Sequence, residues 1–320
     1  MRKAVVVGPK QFAIKEVPVP DIGPGEILVK IKYCGICSSE VHGGWSGGSN
    51  YPIKTFGHEV MGVAKEIGPE VEKIKPGMRV TGFFRRSFAD YAVINQEKIL
   101  RIPDNIPDKV AAAVSEPLSC IISAIRRLSV DPGDEVAVIG LGFMGLLQLK
   151  ILLLQGATRI VGVDVRQEAL QQAKEFGADE VYLPSKVPGA YIINSWDQLG
   201  NDFGLDHVIE ASGNSKALNL AGEMVKIHQN LMILGYHQNG DRKVDMELWN
   251  WKALNIINGH ERRKDYQLQC MKRGLDLLQS QRLNLDSFVT HEYGLSEINK
   301  AFADAVEKPA GYIKGIIEIN

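Results

Sequence analysis

The sequence predicts a two-part α/β protein in which a β-rich first part precedes a doubly wound parallel sheet. Its first hundred residues carry short β-branched runs separated by Gly, Pro and Asn clusters, a pattern typical of a barrel or sandwich. From position 108 to about 258, continuous apolar strands alternate with amphipathic helices, which indicates a parallel sheet covered on both faces. The length of 320 residues fits two domains of about 150 residues each.

The strands of the first part are predicted from runs of four to seven residues bounded by turn signals such as Lys75-Pro76-Gly77. Around Pro103 the composition changes, and this part ends. The predicted strands are Ala4–Val7, Ile27–Tyr33, Met61–Ile67, Arg79–Gly82 and Tyr91–Ile94.

The second part opens with a helix over Asp108–Leu128, where alanines and apolar residues recur at a 3–4 spacing. The strands that follow are predicted at Glu135–Ile139, Arg159–Asp164, Glu180–Tyr182, His207–Glu210 and Leu231–Gly235. The helices between them are predicted at Phe143–Gln155, Gln167–Phe176 and Ser215–Val225. After Asn258 the alternation stops, and the tail is predicted as helix, strand, helix and strand over Tyr266–Gln279, Phe288–His291, Leu295–Glu307 and Tyr312–Ile319.

Composition and charge exclude several classes of function. Hydrophobic residues make up 45% and charged residues 23% of the chain, which excludes a disordered protein. The net charge is -1 and no window is a run of lysine and arginine, so neither nucleic acid nor a membrane surface is an expected partner. Four cysteines are too few for a disulfide scaffold. With no signal peptide or spanning segment evident, we expect a reduced, cytoplasmic protein.

A glycine-rich turn follows the first strand of the parallel sheet and opens the next helix. It has the form G-x-G-x-x-G, which is weak alone but specific between a buried strand and a helix. The first glycine permits the tight turn, the second lets a pyrophosphate approach, and the third lets helix and strand pack closely. An ordinary strand–helix turn is the alternative. The residues predicted to bind a dinucleotide are Gly140, Gly142, Phe143, Met144 and Gly145.

An acidic residue stands at the end of the second strand of this sheet. Asp164 lies about 20 residues beyond the glycines, where a carboxylate accepts hydrogen bonds from both adenosine ribose hydroxyls and repels a 2′-phosphate. NAD is therefore favoured over NADP. Arg166, two residues further on, offers a cation that would soften this preference. Asp164 could instead be a simple helix N-cap.

The first part contains a candidate metal site. Cys34-Gly35-Ile36-Cys37-Ser38-Ser39-Glu40-Val41-His42 follows a predicted strand, and Gly57-His58-Glu59 comes later. Thiolate, imidazole and carboxylate form a zinc ligand set, and a catalytic zinc keeps one position open beside three protein ligands. A redox C-x-x-C is the rival interpretation, although such a pair normally lies at a helix N-terminus in a βαβ unit.

With these motifs in view, the sequence resembles the zinc-dependent medium-chain dehydrogenases of the alcohol and polyol dehydrogenase family, in particular sorbitol-dehydrogenase-like members. The resemblance runs through C-G-I-C-x-S-E-V-H, G-H-E-V-M-G, S-E-P-L-S-C, G-L-G-F-M-G and the terminal G-Y-I-K-G-I-I, and so covers essentially the whole chain. It implies a GroES-like β-barrel catalytic domain over 1–117, an NAD-binding Rossmann domain over 118–258, and a segment 259–320 that completes the catalytic domain.

The resemblance also implies roles for individual residues. Cys37 and His58 are expected as zinc ligands, with Cys34 structural. Glu59 matches a carboxylate that ligates zinc directly in some members and lies behind it in others. Glu116 stands where simple alcohol dehydrogenases carry a third cysteine, and could bind zinc directly, bind it through water, or be structural.

The family pattern further implies a proton path and further cofactor contacts. Ser39 accepts the proton of the substrate hydroxyl, a nicotinamide ribose hydroxyl relays it, and His42 passes it to solvent. The remaining cofactor-binding residues implied by the pattern are Ser212, Gly235 and Lys314, the last at the pyrophosphate.

One departure from the family is informative. Many members insert a loop with four closely spaced cysteines that holds a structural zinc, but this chain has no cysteine between Cys37 and Cys120. We therefore expect one catalytic zinc per chain and no structural zinc. The family also implies a homodimer or homotetramer.

The substrate is the least constrained part of the prediction. The first choice is an NAD-dependent interconversion of a secondary alcohol, polyol or sugar-like substrate with its ketone, and a dehydrogenase of simple alcohols is the alternative. Rivals of other classes are a zinc-free NADPH-dependent quinone reductase and a non-catalytic NAD-binding protein on the same fold. Side chains that could meet substrate are Phe83, Phe84, Arg85, Arg86, His237 and His260, each equally an ordinary surface residue.

Overall fold

The computed structural model describes residues 1–47, 55–198, 203–238 and 240–320, and the chain divides into two compact units. Unit 1 comprises Met1–Cys120 and Arg262–Asn320. Unit 2 comprises Ile121–Glu261. Each unit is described by itself below.

The elements follow one another along the chain as the composition indicated, with short additions. Up to residue 101 they are β1 (Arg2–Gly8), β2 (Gln11–Glu16), β3 (Glu26–Gly35), the helical turn α1 (Ser38–Glu40) that continues as a π-helical turn (Val41–Trp45), β4 (Glu59–Ile67), β5 (Arg79–Gly82), β6 (Tyr91–Asn95) and β7 (Ile99–Arg101).

The next elements are α2 (Asp108–Leu128), β8 (Glu135–Ile139), α3 (Phe143–Gln155), β9 (Arg159–Val163), α4 (Gln167–Glu175), β10 (Glu180–Tyr182), β11 (Leu205–Glu210), α5 (Ser215–Met224), β12 (Val225–Ile233), α6 (Met246–Trp251) and β13 (Asn255–Asn258). The tail adds α7 (Lys264–Gln279), β14 (Val289–Gly294), α8 (Ile298–Glu307) and β15 (Lys314–Glu318).

Unit 1 is built on a seven-stranded sheet with the order β14-β15-β3-β4-β5-β7, and β6 also pairs with β3. Strands β1 and β2 form a separate two-stranded sheet. Within the described residues no pairing joins β14 to β7, so the predicted barrel is present as an open path of strands. Because β15 pairs with the end of β3, with Ile316 opposite Gly35, the tail of the chain lies beside the first part of the sequence.

Unit 2 contains an all-parallel six-stranded sheet with the order β10-β9-β8-β11-β12-β13. The strand order reverses between β8 and β11. The topological switch point of this doubly wound fold therefore lies between these two strands, at the carboxyl edge of the sheet. The central strand β8 is buried almost throughout, which explains its uninterrupted apolar sequence. The doubly wound sheet predicted from the sequence is confirmed.

The sequence pattern does not predict three of the strands. Strands β2, β7 and β13 are short and largely exposed on one or both faces, so they lack the apolar alternation that marks a strand. Strand β12 also begins at Val225, six residues before the predicted Leu231, because the chain passes directly from α5 into an extended conformation at Val225.

Within the described residues, no helix has the length and hydropathy needed to cross a bilayer.

A buried lysine stabilises the end of α5, where the chain passes into β12. The side chain of Lys252 is fully buried, and its Nζ donates to the carbonyl oxygens of Gly222 at 2.8 Å and Glu223 at 2.9 Å. These carbonyls lie in the last turn of α5, where no backbone N–H of the helix can reach them. Burial lowers the pKa of Lys252 to about 7, partly offset by the charge of Glu223.

This lowered pKa predicts a pH dependence of stability. Between pH 7 and pH 10.5 the unfolded state binds more protons than the folded state, so the free energy of unfolding rises with pH across this window. We expect Lys252→Met, which keeps the length of the side chain without a titrating group, to lose this rise. Urea denaturation at pH 7, 8 and 9 measures it. A wild-type-to-variant difference that stays constant over this range would contradict the prediction.

Candidate metal centre and dinucleotide-binding turn

The register of β3 against β4 creates a cluster of three candidate ligands in unit 1. Gly35 pairs with Glu59 at the point where β3 ends and β4 begins, so Cys37, two residues beyond Gly35, lies beside His58. A ligand atom from each of Cys37, His58 and Glu59 lies within 4.8 Å of those of the other two. A Cβ at Gly35 would come within 2.2 Å of Glu59 Oε2, so only glycine leaves room for this carboxylate.

A fourth residue, Glu40, orients the imidazole. Its side chain is fully buried in the helical turn after Cys37, and its Oε1 contacts His58 Nδ1 and accepts the N–H of Gly57 at 2.8 Å. Burial alone lowers the pKa of His58, but the charges of Glu40 and Cys37 outweigh it and hold this pKa well above its usual value. With Nδ1 taken by Glu40, the second ring nitrogen of His58 is left for Cys37 and for a cation.

The donor set fits zinc. It combines one sulfur, one imidazole nitrogen and one carboxylate oxygen, as three-ligand catalytic zinc sites do. A carboxylate on the far nitrogen of the ligating histidine is the common outer-shell partner in such sites. The negative charge around His58 favours a bound cation, which is the electrostatic condition for holding a divalent metal.

The sequence reasoning missed Glu40, although a signal for it was present. It lies three residues after Cys37 in a segment that forms a helical turn, and residues three apart lie on the same side of a helix. A carboxylate at this spacing after a ligand cysteine can therefore reach back toward the metal site.

The neighbouring thiols and the fourth predicted ligand lie apart from this trio. Burial raises the pKa of Cys34 well above its usual value, with further contributions from Glu40 and Glu59, so this thiol stays protonated. Glu116 is outside the close group, although it lies near enough to His58 and Glu59 for their charges to act on it. Burial raises the pKa of Glu116. Burial and the charge of Glu116 likewise raise the pKa of Cys120.

Lys314 lies beside the metal cluster. The structure buries this side chain and brings its Nζ within 2.5 Å of Glu59 Oε2, while the pyrophosphate contact implied by the family pattern stays a prediction. The reason is the pairing of β15 with β3, which carries the first residue of β15 to the level of the candidate ligands. In unit 1, Lys314 therefore neutralises and holds the carboxylate of Glu59.

The two residues of the expected proton path follow Cys37 closely in sequence, and Ser39 also lies beside it in space. Ser39 Oγ is 3.1 Å from Cys37 Sγ. His42 lies in the π-helical turn and is exposed at the surface. Partial burial, with a smaller contribution from the charge of Lys308, lowers the pKa of His42.

The glycine turn of unit 2 has the conformation that its sequence requires. Gly140 has φ +96°, and a Cβ there would lie 2.7 Å from Ser212 N. A Cβ at Gly145 would lie 1.9 Å from Gly140 O, so the third glycine lets α3 start against the turn. Gly142 is the extended N-cap of α3, and Phe143 and Met144 follow in its first turn, at the helix end whose partial positive charge attracts an anion.

Asp164 holds this turn in place. Its Oδ2 accepts the N–H of Leu141 at 2.7 Å, and its Oδ1 accepts the N–H of Arg166 at 2.9 Å. The Nε of Arg166 is 3.4 Å from the same Oδ1, so carboxylate and guanidinium form an ion pair at the end of β9. The structure therefore brings Asp164, Arg166 and the glycine turn together, as expected of a dinucleotide site.

Ser212 and Gly235 lie at the ends of the neighbouring strands. Both the N–H and the Oγ of Ser212 donate to Glu210 Oε1, at 2.7 and 2.5 Å. A Cβ at Gly235 would meet Gly213 N at 2.3 Å, so the turns after β11 and β12 are in close contact. The predicted cofactor residues of unit 2 thus gather at the carboxyl edge of its sheet, where ligands bind in this fold.

Known protein families match two segments of the chain, and individual relatives match it over nearly its full length. Residues 23–104 match the alcohol dehydrogenase GroES-like domain, and residues 144–267 match the zinc-binding dehydrogenase domain, together more than half of the chain. Sorbitol dehydrogenase of Halalkalibacterium halodurans is 28% identical over 92% of each chain. D-arabitol-phosphate dehydrogenase of Enterococcus avium is 28% identical, over 98% of this chain and 95% of its own.

The fold recurs in a solved structure. A zinc-binding dehydrogenase from Sinorhizobium meliloti, solved with NADP bound, superimposes with a TM-score of 0.84 at 23% identity, over 99% of this chain and 98% of that one. Fold, domain matches and full-length relatives define a zinc-binding dehydrogenase. The chain belongs to the zinc-type medium-chain dehydrogenase/reductase family.

The role of Glu40 leads to a prediction on metal affinity. We expect Glu40→Gln to weaken zinc binding about 10- to 100-fold, because an amide orients His58 without the charge that raises its basicity. Titration against a chromogenic zinc chelator measures it. Glu66→Gln, an exposed carboxylate further along β4, is the matched control and should bind zinc like the wild type. Equal zinc affinity of the Glu40→Gln variant and the wild type would disprove the role.

Proposed function

We propose that the chain is a zinc- and NAD-dependent dehydrogenase that interconverts a secondary alcohol group of a polyol or sugar-like substrate with its ketone. The convergence of Cys37, His58 and Glu59 in one cluster of ligand atoms carries this proposal. The full-length similarity to sorbitol and arabitol-phosphate dehydrogenases supports the polyol class. A zinc-free quinone reductase is disfavoured because every member of the ligand set is present.

The chemistry divides between cofactors and protein. A zinc ion and NAD, when bound, supply Lewis acidity at the alcohol oxygen and an acceptor for the hydride. Cys37, His58 and Glu59 would hold the zinc, and Glu40 and Lys314 fix two of these side chains from behind. Ser39 takes the hydroxyl proton, and His42 transfers it to solvent. Glu116, outside the close group, would bind the zinc directly or through water.

The preference for NAD rests on Asp164. Its carboxylate is anchored by Leu141 and lies at the end of β9, where an adenosine ribose binds in this fold. A negative charge there disfavours the 2′-phosphate of NADP. Arg166 opposes this preference, because its guanidinium is near enough to pair with a 2′-phosphate in place of Asp164.

A substrate and cofactor panel tests the proposal. Polyols, cyclitols and simple alcohols are assayed with NAD and with NADP by the nicotinamide absorbance, with zinc content measured on the same sample. We expect polyol oxidation with NAD, loss of activity on zinc removal, and recovery when zinc is restored. Activity at zero zinc would overturn the zinc proposal, and a preference for simple alcohols would favour that alternative substrate class. Tight cofactor binding without turnover of any substrate would favour the non-catalytic alternative.

The proton path makes a separate prediction. His42→Ala should slow alcohol oxidation several-fold, and added imidazole should partly restore it. Since the pKa of His42 lies below its ordinary value, the wild-type rate should fall only at pH below about 6.5, when the imidazole becomes protonated, and this acidic limb should vanish in the variant. His228→Asn, at an exposed histidine of β12, is the control. An unchanged pH–rate profile in His42→Ala would rule out the relay.

The remaining assignments complete the proposal. Unit 1 corresponds to the catalytic domain and its returning tail, with boundaries expected near 117 and 258. One zinc per chain is proposed from the missing four-cysteine loop, a cytoplasmic location from the sequence analysis above, and assembly as a homodimer or homotetramer from the family pattern. Zinc-to-protein stoichiometry and sedimentation of the purified protein test the first and last of these.

A further inference from the structure

A buried glutamate at the end of β11 organises the turn that follows it. The side chain of Glu210 is fully buried in unit 2. Its Oε1 accepts the N–H of Ser212 at 2.7 Å, the hydroxyl of Ser212 at 2.5 Å, and the N–H of Gly213 at 2.9 Å. Such a buried carboxylate must be fully hydrogen-bonded to be tolerated, and Oε1 already has three donors.

The other oxygen of Glu210 binds His237, which follows β12. Glu210 Oε2 is 2.9 Å from His237 Nε2, and the Nε–H of Arg242 donates to His237 Nδ1 at 3.0 Å. Since Nδ1 accepts the hydrogen bond from Arg242, the ring hydrogen that faces Glu210 is the one on Nε2. The sequence suggested that His237 could meet a substrate, but both of its ring nitrogens are engaged within the protein.

Arg242 extends this chain of contacts to the backbone. Its NH1 donates to Gly240 O at 3.0 Å and to Asp241 O at 3.2 Å, and its NH2 donates to Gln238 O at 2.5 Å. Within the described residues, no carboxylate lies within ion-pair distance of this guanidinium. Arg242 is therefore connected to Glu210 through the intervening imidazole.

These contacts hold residues 236–238 and 240–242 against the turn after β11. Gly213 has φ +72°, and a Cβ there would lie 2.8 Å from Tyr236 O. A Cβ at Gly235 would lie 2.6 Å from Glu210 Oε2. The two turns pack backbone to backbone, so a change in one moves the other.

We propose that Glu210, His237 and Arg242 form a positioning relay for the nicotinamide half of the dinucleotide. The inference rests on the proposed function, namely that unit 2 binds a nicotinamide dinucleotide. In a doubly wound sheet the adenosine half lies over the first strands, here β8 and β9 with Asp164, and the other half crosses the switch point to β11 and β12. The relay lies at the carboxyl ends of these latter strands, and His237 is its central positioning residue.

A binding experiment separates the two halves of the ligand. ADP probes the adenosine half alone, whereas NADH and NADPH, followed by fluorescence, probe both halves. We expect His237→Ala to weaken binding of the reduced cofactor about tenfold or more and to leave ADP binding within about twofold, because Glu210 and Arg242 lose their shared partner. His237→Gln, whose amide can both donate and accept, should recover part of the loss.

The chain offers a matched control. His207 lies near the other end of the same strand, where its Nε2 is 2.9 Å from Asp134 Oδ2 and its Nδ1 is 3.0 Å from Asn230 Nδ2. Like His237, it lies between a carboxylate and a hydrogen-bond donor, but it is buried at the amino edge of the sheet. His207→Ala should lower thermal stability and leave the affinity for NADH and ADP unchanged.

The outcomes are distinguishable. Wild-type affinity for the reduced cofactor in His237→Ala would overturn the proposed positioning role of Glu210, His237 and Arg242. Equal weakening of ADP and reduced cofactor would also overturn it, because the residue would then be structural for unit 2 as a whole. A wild-type protein that binds neither NADH nor NADPH would overturn the proposed function itself.

Discussion

Replacement of Cys37 by serine is expected to release zinc and to lower kcat/KM by at least about 10³-fold. Lewis acidity at a reacting oxygen is worth several kcal/mol of transition-state stabilisation, and about 4 kcal/mol corresponds to a factor of 10³ in rate. The thiolate is the only soft ligand in the cluster of Cys37, His58 and Glu59. A serine hydroxyl cannot supply its charge at neutral pH.

Cys34 is the control for this experiment. It belongs to the same C-G-I-C run and is fully buried, and burial raises the pKa of its thiol well above the usual value. Cys34→Ala should therefore retain one zinc per chain and activity within a few-fold of the wild type. Metal content by emission spectroscopy and steady-state kinetics on both variants measure the difference. If both variants lose zinc to the same extent, or if Cys37→Ser keeps it, the assignment of Cys37 is wrong.

The second large effect is expected at Gly145. In Gly145→Ala the new Cβ would come within 1.9 Å of Gly140 O, a backbone atom that cannot move without displacing the glycine turn. Such overpacking costs about 1–3 kcal/mol of stability, and the displaced turn leads into the N-terminus of α3, which is proposed to bind pyrophosphate. We therefore expect a lower melting temperature and at least about tenfold weaker binding of both NADH and ADP.

Gly189 provides the comparison, because a Cβ there meets no atom within 4 Å and its φ is not positive. Gly189→Ala should bind NADH and ADP like the wild type. Loss of ADP binding also distinguishes Gly145→Ala from His237→Ala, in which only the nicotinamide half should suffer. Unchanged NADH affinity in Gly145→Ala would mean that this turn does not hold the pyrophosphate.

Much of the fold was predictable because its signals are local. The alternation of buried strands and amphipathic helices from β8 to β12 is predicted by continuous apolar runs such as Glu135–Ile139. The glycine turn is equally local, since steric freedom at Gly140 and Gly145 belongs to those residues themselves. Short exposed strands such as β13 have no such signal, because their pairing depends on the neighbouring strand.

The candidate site was predictable only in part. Cys37 and His58 stand in recognisable motifs, and the register of β3 with β4 brings them together as expected. The pairing of Lys314 with Glu59 and of Glu40 with His58 could not be obtained from spacing alone. The first joins residues 255 positions apart in the chain, and the second depends on how the helical turn after β3 packs on β4.

The sequence by itself determined the two-part α/β organisation, the zinc-type donor set and the dinucleotide turn, because periodicity, ligand chemistry and glycine sterics act over a few residues. The sequence contains four cysteines, and Cys37 is the one assigned to zinc. The tertiary structure alone decided which carboxylate orients His58, what neutralises Glu59, and how Glu210 reaches Arg242 through His237. The physical reason is that strand register and backbone packing set these distances, and they depend on the whole sheet.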